Sequence, residues 1–125
     1  MTPAECIASL DSALADKGQN VVLQRMTLGP SGRQIPFSVT CKAFVRGYDP
    51  DQWIGGLTQH DSKVIISPTE ITAAGWTNGR LPPDETRVPI RNNKVVVAGA
   101  TKNVEAGFGF YVGGELVRIE MQVKG

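Results

Sequence analysis

A single histidine, His60, and only two cysteines, Cys6 and Cys41, stand in this chain. One histidine excludes every site that needs two. Its neighbour Asp61 cannot orient it in the manner of a catalytic triad, because adjacent side chains point apart along an extended chain. Cys6 falls in a predicted helix and Cys41 in a predicted strand, with neither a disulfide framework nor a paired metal-ligand spacing. Both are read as reduced, packed thiols, since a cysteine on the apolar face of a strand is ordinarily a small hydrophobe. An excess of one charge is missing too: 13 basic and 12 acidic residues leave a net charge of +1. Such a balance offers no broad attraction to nucleic acid, which needs several phosphates neutralised at once. No basic tail, internal repeat or low-complexity stretch is present, and no apolar run approaches the roughly 20 residues that span a bilayer. The N-terminus carries acid where a secretory leader carries base, which predicts synthesis in the cytoplasm and no membrane contact.

What is present is one domain's worth of chain, residues 1–125, with 41% hydrophobic residues. Thr2-Pro3-Ala4-Glu5 predicts a helix start, with threonine as cap, proline in the first turn and glutamate three residues on. The helix runs to Lys17, carries Ile7, Leu10 and Leu14 with Cys6 and Ala13 as an apolar stripe, and stops at Gly18. Val21–Leu28 and Phe37–Val45 read as strands on either side of Gly29-Pro30-Ser31-Gly32, the second with Phe37, Val39, Cys41, Ala43 and Val45 in alternation. Val64-Ile65-Ile66 is a short strand. Ser67-Pro68-Thr69-Glu70 opens a turn or short helix that stops near Gly75. Asn78-Gly79 and Pro82-Pro83 predict an ordered surface loop.

The segment 88–125 is read as short strands joined by turns at Asn92-Asn93 and Gly113-Gly114. In the last strand Val117, Ile119, Met121 and Val123 alternate with Arg118, Glu120, Gln122 and Lys124, the pattern of a half-buried strand that completes the fold with no extension after it. The result is a mainly β protein of about six or seven strands, with an N-terminal amphipathic helix and one short internal helix.

Gly47–Lys63 stands apart as an irregular stretch holding Tyr48, Asp49-Pro50, Trp53, Gly55-Gly56 and His60-Asp61. Fully extended it spans on the order of 55 Å, so its tip reaches well beyond a domain of this size. Asp49, Asp51 and Asp61 share it without the glycine and glutamate that a calcium loop requires, and are read as solvated acids. Trp53 and Trp76 are both candidate core anchors, and Trp53, beside Ile54 and Leu57, is the better candidate for contact with a partner. Gly107-Phe108-Gly109-Phe110-Tyr111-Val112-Gly113 lacks the following helix that a phosphate loop needs, and reads as a strand with glycines at close backbone approaches. No catalytic, cofactor or metal pattern emerges, and the chain is read as not an enzyme.

Ser62–Trp76, reading Ser-Lys-Val-Ile-Ile-Ser-Pro-Thr-Glu-Ile-Thr-Ala-Ala-Gly-Trp, resembles small neck proteins of tailed bacteriophages and prophages, the head-closure or stopper family. The order that follows fits as well: a proline-bearing loop, a hairpin like Lys94–Ala98 and a last strand ending near Val-Lys-Gly. The resemblance covers roughly residues 35–125; the N-terminal helix lies outside it. It implies a small β-barrel that joins a ring, a hexamer or dodecamer, below the portal and adaptor. There it closes the DNA exit, meets packaged DNA sterically and presents the docking surface for the tail. It further implies that Gly47–Lys63 projects into the channel, with Gly47, Tyr48, Asp49, Trp53, Gly55, Gly56, His60 and Asp61 as gating residues and Gly47 and Gly55-Gly56 as hinges. The setting is then the virion neck, after assembly in the host cytoplasm. Val104–Phe110 is richer in glycine than this family leads one to expect, which keeps a tail terminator open, and a small β-barrel binding module built around Trp53 is the alternative of another class.

Overall fold

The computed structural model describes residues 2–28, 32, 34–47, 61–78, 85–91 and 93–124. Its elements are α1 (Pro3–Lys17), β1 (Gln19–Leu28), β2 (Gln34–Gly47), β3 (Asp61–Ile66), α2 (Pro68–Ala74), β4 (Lys94–Val97), β5 (Ala100–Val112) and β6 (Glu115–Lys124). The six strands close into a barrel in the order β1-β2-β3-β6-β5-β4, with every neighbouring pair antiparallel. Alternation explains the core. Val21 and Leu23 of β1, Val39, Cys41 and Ala43 of β2, Val64 and Ile66 of β3, and Val95 and Val97 of β4 turn inward, where they pack with Val104, Ile119, Met121 and Val123.

The barrel wall is not uniform. β2 pairs with β3 only over Ala43–Gly47, and β6 pairs with β3 only over Ile119–Lys124, so the early part of β2 and residues 115–118 of β6 diverge. Into this gap goes α2, packed on both strands. Ser67 caps α2 by accepting from Thr69 N at 3.2 Å, and Gly75 ends it in the left-handed region at φ +70°. Ile71 and Trp76, 0% and 1% exposed, enter the core from this wedge. Its polar groups complete the edge of β2: Lys42 N donates to Glu70 Oε1 at 3.3 Å and Trp76 Nε1 donates to Phe37 O at 3.0 Å.

α1 lies outside the barrel on β2 and β6. Thr2 Oγ1 caps it by accepting from Glu5 N. Only Leu14 is fully buried, Ile7, Leu10 and Cys6 are half-buried, and Ala13 of the expected stripe stays exposed at the edge of the space beneath α1. Gly18 stops the helix, though with φ −80° and not through a left-handed turn. A Cβ there would stand 2.5 Å from Leu14 O, so glycine is required by space.

Three expectations are corrected. Residues 88–90 form no strand, and Asn93 opens no hairpin. It is 4% exposed, accepts from Ile90 N at 2.9 Å through Oδ1 and donates to Asn78 O at 3.4 Å. Asn78, expected on a surface loop, is 3% exposed, and its Nδ2 donates to Glu85 O and Val88 O at 3.0 and 2.6 Å. Two buried amides thus replace a strand ladder for this stretch. The hairpin turn into β5 is instead Ala98-Gly99, with φ +50° and +82°, and the Gly113-Gly114 turn has φ +58° and +82° as expected.

A β-bulge is the third correction. Phe110 pairs with Arg118 but Tyr111 with Leu116, so Val117 is extra and the alternation shifts phase. Leu116 takes the inward place, while Val117 lines the space beneath α1 with Leu10 and Ala13.

Gly107 packs against the 85–91 segment: a Cβ would lie 1.8 Å from Pro89 O. Gly107→Ala is expected to lower stability in urea unfolding by about 3 kcal/mol, because backbone must move, whereas Gly99→Ala costs about 1–2 kcal/mol for its positive φ alone. Equal losses would contradict this packing. Ala98→Asn is expected to raise stability by about 0.5 kcal/mol, as asparagine tolerates the left-handed region at this turn; a thermal melt reads the change.

Candidate functional site

The projecting loop is shorter than the sequence suggested. Gly47 is the last residue of β2 and pairs with Ser62, and Asp61 opens β3 opposite Lys124. Gly47, a hinge in the expected reading, is thus the strand-terminal residue at which the connection begins, and Asp61 to Lys63 belong to the wall. The connection is therefore 48–60, and Tyr48, Asp49, Trp53, Gly55, Gly56 and His60 lie outside the described residues. What can be built upward is the surface around its roots.

Ladder register sets a row of outward side chains across four strands: Phe44 opposite Ile65, Ile65 opposite Glu120, and Glu120 opposite Phe108. The next row toward the loop sets Arg46 opposite Lys63 and Lys63 opposite Gln122. Glu120, 8% exposed, would be costly unpaired. Lys63 Nζ meets its Oε1 at 2.6 Å, and Arg118 Nε lies 2.9 Å from its Oε2. The Arg118 N–H is too oblique for a hydrogen bond, so that contact is one of charge. Between α1 and this face lies a cavity of about 520 Å³, lined by Leu10, Phe44 and Ile65 with Lys17, Arg46 and Arg118 at its rim.

β5 carries the most exposed aromatics of the described surface: Phe108 at 54%, Phe110 at 46% and Tyr111 at 50%. The Arg118 guanidinium sits 5.8 Å from the Phe110 ring centre. Tyr111 OH donates to Glu85 Oε2 at 3.2 Å, and Arg87 donates to the same carboxylate through Nε at 3.0 Å and Nη2 at 3.3 Å. Donation by the Arg87 side chain holds the Glu85 carboxyl below its ordinary range, against a smaller opposing effect of desolvation. Desolvation, then the Glu85 charge, pushes the Tyr111 phenol up. The network braces the start of the 85–91 segment against β5.

Sequence reasoning singled out the glycines of this strand and passed over its phenylalanines. The signal was there in Gly-Phe-Gly-Phe, which sends glycine to one face and phenylalanine to the other. Trp76, expected as an anchor, is in the core. Among the described residues, no three His, Cys, Asp or Glu side chains come together to hold a metal ion, and no helix is long and apolar enough to cross a membrane.

Cys41 is 1% exposed, and burial, followed by the Glu70 charge, pushes its thiol up to about 12 from 9.0. It cannot form a thiolate nucleophile at neutral pH. A group whose folded pKa is raised keeps its stabilising effect below its unfolded value and loses it above. Stability is therefore expected to fall by about 1.4 kcal/mol per pH unit as pH rises from 9 toward 12, and Cys41→Ala should flatten that slope. Denaturant unfolding across this pH range, run on both proteins, checks it.

No known protein family matches the sequence, and no curated protein is detectably similar to it.

Proposed function

We propose that this chain is a structural ring subunit of a tailed-phage neck, a head-closure or stopper protein that seals the DNA exit below the portal and adaptor and offers the tail its docking surface. The observation that carries the reading is the segment 62–76, on which the resemblance rests. It forms a continuous unit of β3, a serine-capped α2, a left-handed Gly75 and the buried Trp76, seated as a wedge in a closed antiparallel barrel. The connection 48–60, rooted between paired strands β2 and β3, is the channel loop of this proposal. Packaged DNA is held back sterically, consistent with a chain of net charge +1. The virion neck is then its place, after assembly in the host cytoplasm.

The glycines of β5 favour a second reading within the same setting, a tail terminator ring. Electron microscopy of lysates from a producer lacking this gene separates the two. Tailless heads emptied of DNA are expected for a stopper, filled heads beside tails of abnormal length indicate a terminator, and normal particles return the protein to a β-barrel binding module. Removing about half of residues 48–60 is expected to cause DNA leakage from assembled particles; full retention would remove the loop from the closure role.

A further inference from the structure

Phe108 and Phe110 stand two residues apart on β5 and leave the barrel on the same side. The alternate positions, Gly107 and Gly109, face Pro89 O and Leu116 Cδ1, where a Cβ would come within 1.8 and 2.9 Å. All the side-chain mass of this stretch is thus directed outward. These two phenylalanine rings, about half exposed, offer roughly 200 Å² of aromatic surface; Tyr111 lies on the other face, its ring 3.1 Å from where a Gly109 Cβ would stand. The Phe108 and Phe110 surface is about a quarter of the ~800 Å² each partner buries in a standard interface, concentrated in aromatic side chains, which dominate interface energetics. The strip carries two cations, Arg118 and Lys63, against one carboxylate, Glu120.

A second patch has the opposite character. Between α1, α2 and the β5–β6 turn lies a cavity of about 520 Å³, floored by Ile7, Pro68, Thr72, Ala73 and Leu116. A dry cavity of ~150 Å³ already accepts a benzene ring. Glu115 lines its rim, and Asp11 reaches the rim by accepting from Thr69 Oγ1 at 2.8 Å. Its one cation, Arg87, is occupied by Glu85 at 3.0 Å. The cavity is apolar with an acidic rim, and the strip is aromatic with a basic one.

We infer that the occupant is a second copy of this chain: Phe108 and Phe110 of one copy seat in the α1–α2 cavity of the next, with Arg118 against Asp11 and Glu115. The inference rests on the reading of the chain as a ring subunit and names the faces that join. Because knob and hole are different patches, the contact is heterologous and propagates head to tail until rotation closes it. An interface of strip upon strip would instead bring Arg118 and Lys63 of both copies together.

Sedimentation of the purified full chain, taken to millimolar concentration, tests it with two variants that alter exposed positions on opposite sides of the contact. Wild-type protein is expected to self-associate, and Phe108→Ser/Phe110→Ser to weaken this by about 100-fold. Thr72→Trp, which fills the hole, is expected to do the same. Mixed together, the two variants should form a 1:1 dimer that grows no further, since one retains the hole and the other the knob. Self-association of Thr72→Trp alone overturns the inference in favour of strip upon strip. A wild-type chain that stays monomeric at millimolar concentration overturns it as well, and so does strip-dependent binding of a dT20 oligonucleotide without self-association. If the mixed dimer forms but particles lacking the gene are normal, the interface stands and the neck reading falls; leaking particles with no mixed dimer give the reverse.

Discussion

The wedge of α2 and Trp76 between β2 and β6 is the constraint on which the barrel depends. Where those strands diverge, the edge of β2 would leave backbone groups without ladder partners; the part-buried Phe37 O left unmade would cost about 1–3 kcal/mol, and the exposed Lys42 N less. Glu70 and the Trp76 indole supply the missing partners at Lys42 N and Phe37 O. The same segment delivers Ile71 to the core. Sealing the wall and filling the interior are thus one event, and the chain that leaves Trp76 must then return across the barrel to β4. Asn78 and Asn93 hold that return in place by bonding backbone carbonyls and each other.

Much of the fold was legible because it rests on local rules. Caps at Thr2 and Ser67, the stop at Gly75, and inward alternation through Val39, Cys41 and Ala43 all follow from residue chemistry within a few positions. The misreadings share a cause in tertiary context. Asn78 and Asn93 look like turn residues until distant carbonyls become their partners. Val117 looks inward until a bulge advances the phase by one. Asp61 to Lys63 look like loop residues until Lys124, Val123 and Gln122 are found across from them. Of the candidate site, only its two roots can be compared with the structure, and both prove to be ladder residues.

Near neutrality conceals a division of charge. The outer face of β2, β3 and β6 gathers Arg46, Lys63 and Arg118 around a single buried glutamate, with Lys17 from the last turn of α1 beside them, while Glu5, Asp11 and Asp16 lie along the rest of α1 and Glu70 on α2. Exposed ion pairs contribute little to stability. Charges sorted onto separate faces act instead on orientation, because they favour one way for two bodies to meet over the others.

Strand parity has a geometric consequence. In a closed barrel of six strands whose neighbours all run antiparallel, successive connections must emerge at alternate ends. One end therefore receives residues 29–33, the whole α2 segment with its return to β4, and the Gly113-Gly114 turn. The opposite end receives residues 48–60, the two-residue turn at Ala98-Gly99, the α1-to-β1 junction at Gly18 and the end of β6 at Lys124. The α2 wedge and the Gly113-Gly114 turn share one pole, and the α1–β1 junction and the end of β6 the other, so anything approaching along the barrel axis meets different chemistry above and below.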